Sequence, residues 1–330
     1  MRAAVLRALP ARELSVEAVE APRGPDGWLE VAVEACGICG TDLHILAGES
    51  YRPELPFVLG HEPCGMVVRA YGDGGAGELL GKRVVASIFV GCGACAQCLI
   101  GNERLCERGA RITGVAGLWG GFAERLALAP AQAVEVPGGL APAEAAALVD
   151  AGATAHNAAR VAHAHGEGRT LVLGGGPVGF LTASILRSLG RECAVVEPSG
   201  PRRELLAARG HATLASLDRQ AADADIVIDC AAAAQNLPRS LERLRPRGLF
   251  LAVGYTRVPD LDMAVVSRKE LTIRGIRSGR REDLVQVLQL AVKGVIDTPP
   301  VTVWPLERVN EALEQLRQQR VAGKAVITVG

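Results

Sequence analysis

The run TLVLGGGPVGFLTASILRSLG, residues 170–190, constrains the fold of this chain more than any other stretch. A short apolar run reads as a buried strand, Gly174, Gly176 and Gly179 fit GxGxxG, and the residues beyond them have helical periodicity. In such a strand-turn-helix unit the first glycine permits the tight turn and the second lets the backbone approach a pyrophosphate. The third lets the helix lie against the sheet, and the phosphates meet the helix N-terminus. Glu197 closes the next strand, CAVVE, 18 residues after Gly179. A carboxylate there accepts hydrogen bonds from an adenosine ribose diol and repels a 2'-phosphate, so NAD(H) is expected in preference to NADP(H). Arg202 and Arg203, close behind, weigh the other way.

The alternation continues through PRRELLAARG, ADIVIDC, LPRSLERL and GLFLAVG to a further strand, LTIRGI, at 271–276. About six strands alternating with helices make a doubly wound parallel sheet. Ser199 and Pro201 mark a helix start and Gly210 its stop. Residues 1–150 read differently, with many glycines and prolines and short β-like runs such as WLEVAVEA and RVVASIFV. The chain is thus an α/β protein with a mainly β first part. Two helices, DLVQVLQLAVKG and ERVNEALEQLRQQR, and a last strand, AVITVG, follow the doubly wound part and are expected to rejoin the first.

Cys92, Cys95, Cys98 and Cys106 lie inside GCGACAQCLIGNERLC. Two-residue gaps repeated twice set three thiolates around one centre, and a short loop returns the fourth. An all-thiolate shell leaves no open position, so a zinc ion here would fold a loop and not perform chemistry. A disulfide pair or a redox motif is the competing reading. A second group, ACGICGTDLH followed by GHE at 60–62, offers thiol, imidazole and carboxylate donors far from the first in sequence. One thiolate, one imidazole and one more protein ligand would leave zinc an open position for oxygen.

Of 330 residues, 49% are hydrophobic and 22% charged, enough apolar material for two cores. Thirty-six basic residues balance 36 acidic ones. That balance argues against a nucleic-acid partner held through phosphate neutralisation, and points to a small molecule. The N-terminus is broken by charges and Pro10 before an apolar run reaches signal-peptide length, and no segment has the roughly 20 apolar residues of a membrane span. A cytoplasmic protein with reduced cysteines is expected.

CGTDLH, GHE, the four-cysteine stretch, GGFAE at 120–124, LVDAGATA at 148–155, GGGPVG and ERVNEAL together resemble the zinc-dependent medium-chain dehydrogenase/reductase family, the alcohol and polyol dehydrogenases. The resemblance runs nearly end to end. It implies a GroES-like catalytic domain over 1–150 and 277–330, with a structural zinc lobe at about 91–106. A Rossmann NAD-binding domain over 151–276 interrupts it, and the active site lies in the cleft between the two. By matching positions Cys39 and His61 ligate a catalytic zinc, and Asp150 falls where relatives place a third ligand, commonly cysteine or glutamate. Glu62 would coordinate transiently or act from behind the ligands, and Asp42 would orient the imidazole. Thr41 matches the hydroxyl that passes the alcohol proton onward, and His44 the residue that returns it to solvent. Thr154 and Val178 match positions around the nicotinamide ring, and Pro177 adjoins them in the glycine loop. Lys324 resembles a basic residue behind the metal that pairs with Glu62; a solvated lysine is the other reading. Cys36, Cys64, Cys193 and Cys230 are expected as buried thiols.

The resemblance implies two zinc ions and NAD(H), used to move a hydride between an alcohol and a carbonyl. Two alternatives stand beside it: an NAD(P)H-dependent reductase of an activated C=C bond such as an enoyl-CoA thioester, and a nucleotide-binding protein that has lost catalysis. The basic run SRKELTIRGIRSGRRED leaves an acyl-CoA substrate open. Family habit implies a homodimer or homotetramer.

Overall fold

The computed structural model describes residues 1–72, 77–217, 223–259 and 261–330. Two compact units emerge. The first comprises Met1–Asp150, Arg280–Val292 and Pro300–Gly330, and the second Ala151–Gly279 and Lys293–Pro299.

The first unit is organised by the ten-residue strand Leu29–Ile38. In its sequence, LEVAVEACGI, one face is wholly apolar and the other carries Glu30 and Glu34 before Cys36 and Ile38, and the strand is almost wholly buried. On one side it pairs antiparallel with Glu62–Ala70, with Gly37 opposite Glu62. On the other it pairs antiparallel with Lys324–Thr328, with Ala325 opposite Ile38. These pairings bring one end of each strand together: Cys39 leaves the first where His61 enters the second and Lys324 begins the third. A strand the sequence reading passed over, Val301–Pro305, runs parallel to the last one. It lies at the edge of the sheet, where prolines are tolerated. The four-cysteine stretch projects from a small three-stranded sheet made of Phe89–Val90, Arg111–Thr113 and Gly117–Leu118.

The second unit is a six-stranded parallel sheet. Its strands are β1 (Thr170–Leu173), β2 (Cys193–Val196), β3 (Ala212–Leu214), β4 (Ala224–Asp229), β5 (Leu244–Ala252) and β6 (Thr272–Gly275). Their order is β3-β2-β1-β4-β5-β6, so the topology reverses beside β1, the doubly wound arrangement read from the sequence. Leu171, Leu173, Val227, Leu241, Leu244 and Phe250 form one core on this sheet. Each such side chain contributes about 1.5–3 kcal/mol on leaving water. Among the described residues no helix is long and apolar enough to cross a membrane.

Candidate metal centre and dinucleotide site

Cys39 caps the short helix Gly40–Leu46, and Asp42, in that helix's first turn, binds it back: one carboxylate oxygen accepts from the Cys39 N–H at 2.8 Å. The other Asp42 oxygen faces Nδ1 of His61 at 3.4 Å. A single buried carboxylate therefore positions both a thiol and an imidazole. Asp150 opens the alanine-rich helix Asp150–His165, and its carboxylate lies 3.8 Å from Nε2 of His61. Donor atoms of Cys39, His61, Glu62 and Asp150 all fall within 4.8 Å of one another.

Two observations test whether this cluster suits a cation. Nε2 of His61 is buried with no hydrogen-bond partner, although its residue is only 1% exposed. Burial disfavours the imidazolium, yet Asp42 and then Cys39 outweigh it and hold the His61 pKa well above the ordinary value. The surroundings favour positive charge at this point, and a thiolate, an imidazole and a carboxylate are a donor set that zinc accepts. The residues fit the ion.

Glu62 differs from the other donors in having a cation of its own. Its carboxylate is fully buried, and Nζ of Lys324 lies 2.7 and 2.5 Å from its two oxygens. Of the two sequence readings of Lys324, the paired one describes the structure, since the residue is 2% exposed. Burial raises the Glu62 pKa, with Lys324 and His61 pulling against it. Burial likewise opposes charge on Lys324, and Glu62 more than offsets that and raises its pKa. Room for the carboxylate comes from Gly37, where an added Cβ would meet Glu62 Oε2 at 2.0 Å. Sequence reasoning missed this requirement; the glycine two residues before Cys39 was its only trace.

Thr41 Oγ1 lies 3.9 Å from Cys39 Sγ. On the same short helix His44 is exposed, with Nδ1 2.9 Å from a Glu49 carboxylate oxygen, a partner the sequence reading did not identify. Burial pushes the Cys36 thiol well up and Cys64 up to about 12, as suits inert thiols. Cys193 and Cys230, expected to be buried, are only half-buried.

In the four-cysteine lobe the sulfur atoms also lie within 4.8 Å of one another, with Cys92 and Cys98 3.9 Å apart. Ligands at about 2.3 Å around a tetrahedral zinc would be roughly 3.8 Å apart. Backbone N–H groups of Glu107 and Cys98 draw the Cys95 thiol down to about 6, which readies it as a thiolate. All four cysteines are free of disulfides.

In the second unit, β1 runs into Gly174, whose φ of +93° turns the chain into the helix Pro177–Ser188. A Cβ on Gly179 would meet the Gly174 carbonyl oxygen at 1.8 Å, so helix and turn could not pack with any other residue there. A Cβ on Gly176 would meet nothing within 4 Å, which leaves the backbone open to a pyrophosphate in front of the helix. The cradle fits a dinucleotide. Glu197 is 3% exposed and already holds the loop together: its oxygens accept from the N–H groups of Gly175 at 2.7 Å and Ser199 at 2.8 Å. Each oxygen retains a further acceptor site for a ribose hydroxyl. Arg203 donates to the carbonyls of Glu197 and Pro198, and Arg202 is half-buried. Val178 is half-buried, as is Pro177 at the helix start, and Thr154 is 6% exposed on its helix.

Residues 25–138 match the family model of the alcohol dehydrogenase GroES-like domain, and residues 203–327 that of the zinc-binding dehydrogenases. The chain is 30% identical to the L-galactonate-5-dehydrogenase of Escherichia coli K12 over 96% of each protein. Among solved structures it is similar to a cobalt- and zinc-bound thermostable alcohol dehydrogenase from Pyrobaculum aerophilum, at a TM-score of 0.89, with 29% identity over 99% of both chains. It is equally similar, at a TM-score of 0.89 and 26% identity, to the acetophenone reductase of Geotrichum candidum in complex with NAD, covering 99% of this chain and 96% of that one. A GroES-like unit with two clusters of zinc-compatible donors, together with a parallel sheet carrying a dinucleotide cradle, defines a zinc- and NAD-dependent oxidoreductase. The chain belongs to the zinc-dependent medium-chain alcohol dehydrogenases. Its reaction is hydride transfer between the nicotinamide and an alcohol or carbonyl group of a small molecule.

Proposed function

We propose that Cys39, His61 and Asp150 hold the catalytic zinc and that Cys92, Cys95, Cys98 and Cys106 hold a structural one. The observation that carries this reading is the convergence of three donor types on a buried imidazole nitrogen that has no other partner. Asp150 is the resting third ligand. Glu62, faced by Lys324 on both oxygens, would be held back from the ion as a neutral ion pair. Zinc in this shell supplies Lewis acidity to a substrate oxygen, and the nicotinamide supplies the hydride carrier.

The side chains manage the proton and the geometry. Asp42 fixes the tautomer and direction of His61 by facing its Nδ1. Thr41, beside the thiol ligand, relays the proton that an alcohol hydroxyl loses, accepting it as its own hydroxyl proton passes onward. His44, exposed and steadied by Glu49, exchanges that proton with water. Pro177, Val178 and Thr154 pack about the coenzyme, and Gly174, Gly176 and Gly179 admit its pyrophosphate. Glu197 receives the adenosine ribose and disfavours a 2'-phosphate, while Arg203 is committed to backbone carbonyls; both support NAD(H) over NADP(H). Arg202 remains the adjacent cation at that end of the cofactor.

The exposed edge strand β6 supports a homodimer or a homotetramer formed through it. Cysteines used as zinc ligands or buried thiols and not as disulfides suit a cytoplasmic location. The deciding experiment measures NADH oxidation by the zinc-loaded protein against aldehydes, ketones and enoyl thioesters, alongside its zinc content. Carbonyl reduction with two zinc ions per chain is expected. Turnover of enoyl thioesters alone would reject the proposal.

A further inference from the structure

A cavity of about 960 Å³ opens at the end of the coenzyme sheet remote from the glycine loop. Thr170, Cys193 and Ala212, the first residues of β1, β2 and β3, line it, whereas the dinucleotide cradle follows the last residue of β1. The two sites are therefore at opposite ends of one strand.

Arg191 lines this cavity and is 9% exposed. Its Nη1 donates to the Gly166 carbonyl, but Nε and Nη2 are buried and make no hydrogen bond. Those two nitrogens form the edge with which a guanidinium grips two oxygens of a carboxylate or phosphate at once. Among the described residues no carboxylate pairs with Arg191. Glu167 and Glu192 also line the cavity, but both are exposed, and Arg187 is already matched by Asp297. Two further polar atoms at the lining are buried without partners: the Thr170 hydroxyl and Nε2 of His211. Burial, and then Arg187, lower the His211 pKa, so this ring offers a hydrogen bond without a second charge. A buried cation with its forked edge unmatched, beside a hydroxyl and an imidazole, is unfavourable unless an anion completes it.

We propose that this cavity binds a small molecule bearing an oxyanion, gripped by the Arg191 fork and supported by Thr170 and His211. The space exceeds that of a bare phosphate and suits an organic acid or a phosphate ester with its body extending outward.

Calorimetric titration of the zinc-loaded full chain, saturated with NAD so that the pyrophosphate cradle is filled, tests this. Inorganic phosphate and acetate are titrated separately at constant ionic strength. Saturable binding of one anion per chain is expected, and the stronger of the two identifies phosphate esters or carboxylic acids as the class. Arg191→Lys, which keeps the charge and removes the fork, is expected to weaken that binding roughly tenfold or more. Thr170→Val is read by the same criterion and decides the matter if Arg191→Lys fails to fold. Absence of saturable heat with both anions overturns the proposal, as does undiminished binding by whichever variants fold.

Discussion

The two clusters proposed to hold metal are built in opposite ways. The lobe draws four identical donors from fifteen consecutive residues, Cys92 to Cys106, and its assembly needs little beyond local turns. The mixed cluster draws different donors from positions as far apart as Cys39 and Asp150, and sheet register together with the start of the helix Asp150–His165 brings them together. The lobe's four sulfur atoms need no other charged neighbour. At the other site, Asp42, which accepts from the Cys39 N–H, and Lys324, which donates to Glu62, are buried beside the donors as well. A structural site can thus be a local property of the chain, while a site open to substrate is a property of the whole fold.

The largest effect should separate the two clusters outright. Cys39→Ala is expected to cut turnover by about 10³-fold or more, a loss of several kcal/mol at about 1.4 kcal/mol per decade. It should also lower zinc content from two ions to one, measured by steady-state rates and atomic absorption. Cys98→Ser should do the reverse, with the lobe metal lost and Tm lowered while carbonyl reduction survives in the folded fraction. Loss of both ions from either variant would erase the distinction.

Lys324→Met tests the demands of a buried site, because it leaves the Glu62 carboxylate without its cation. A loss of about 3–5 kcal/mol in urea unfolding is expected, and most of it should return when Glu62→Gln is added. If the single variant is as stable as the parent, the pair is not the support described. Asp42→Asn is milder. Zinc affinity at the mixed cluster should fall about 10–100-fold in chelator competition, with the lobe unchanged.

The smallest effect supplies a baseline away from both metals. Arg2, through its side chain and backbone N–H, holds Glu124 below its ordinary pKa of 4.5. Its folded value lies below its unfolded one, so its contribution is present above that 4.5 and is lost as pH falls through the lower value. Thermal unfolding of Glu124→Gln from about pH 3 to pH 7 should show a small deficit that closes in acid. A deficit that grows in acid would contradict the assignment.

What the sequence disclosed follows the same division. The cysteine spacing and the strand-glycine-helix unit carry their geometry within a few tens of residues, so both were legible. Gly37 and Glu49 were not, because each matters through a partner that sequence does not place beside it, Glu62 and His44, whereas the Lys324 pairing with Glu62 was carried by the family resemblance alone. Glu197 was read for its ribose, whereas its backbone-binding duty depends on the Gly175 N–H pointing back from the preceding loop. Val301–Pro305 had no counterpart in the sequence reading; the tolerance of proline at a sheet edge appears only once the sheet is assembled.

The pairing of Gly37 with Glu62 has a practical corollary for anyone wishing to graft or lengthen this enzyme. Strand alternation acts as a ruler, and a residue inserted between Leu29 and Ile38, or between Glu62 and Ala70, would turn neighbouring side chains to the opposite face. Engineering that spares those two stretches and diversifies the surrounding loops should preserve the spacing that catalysis requires.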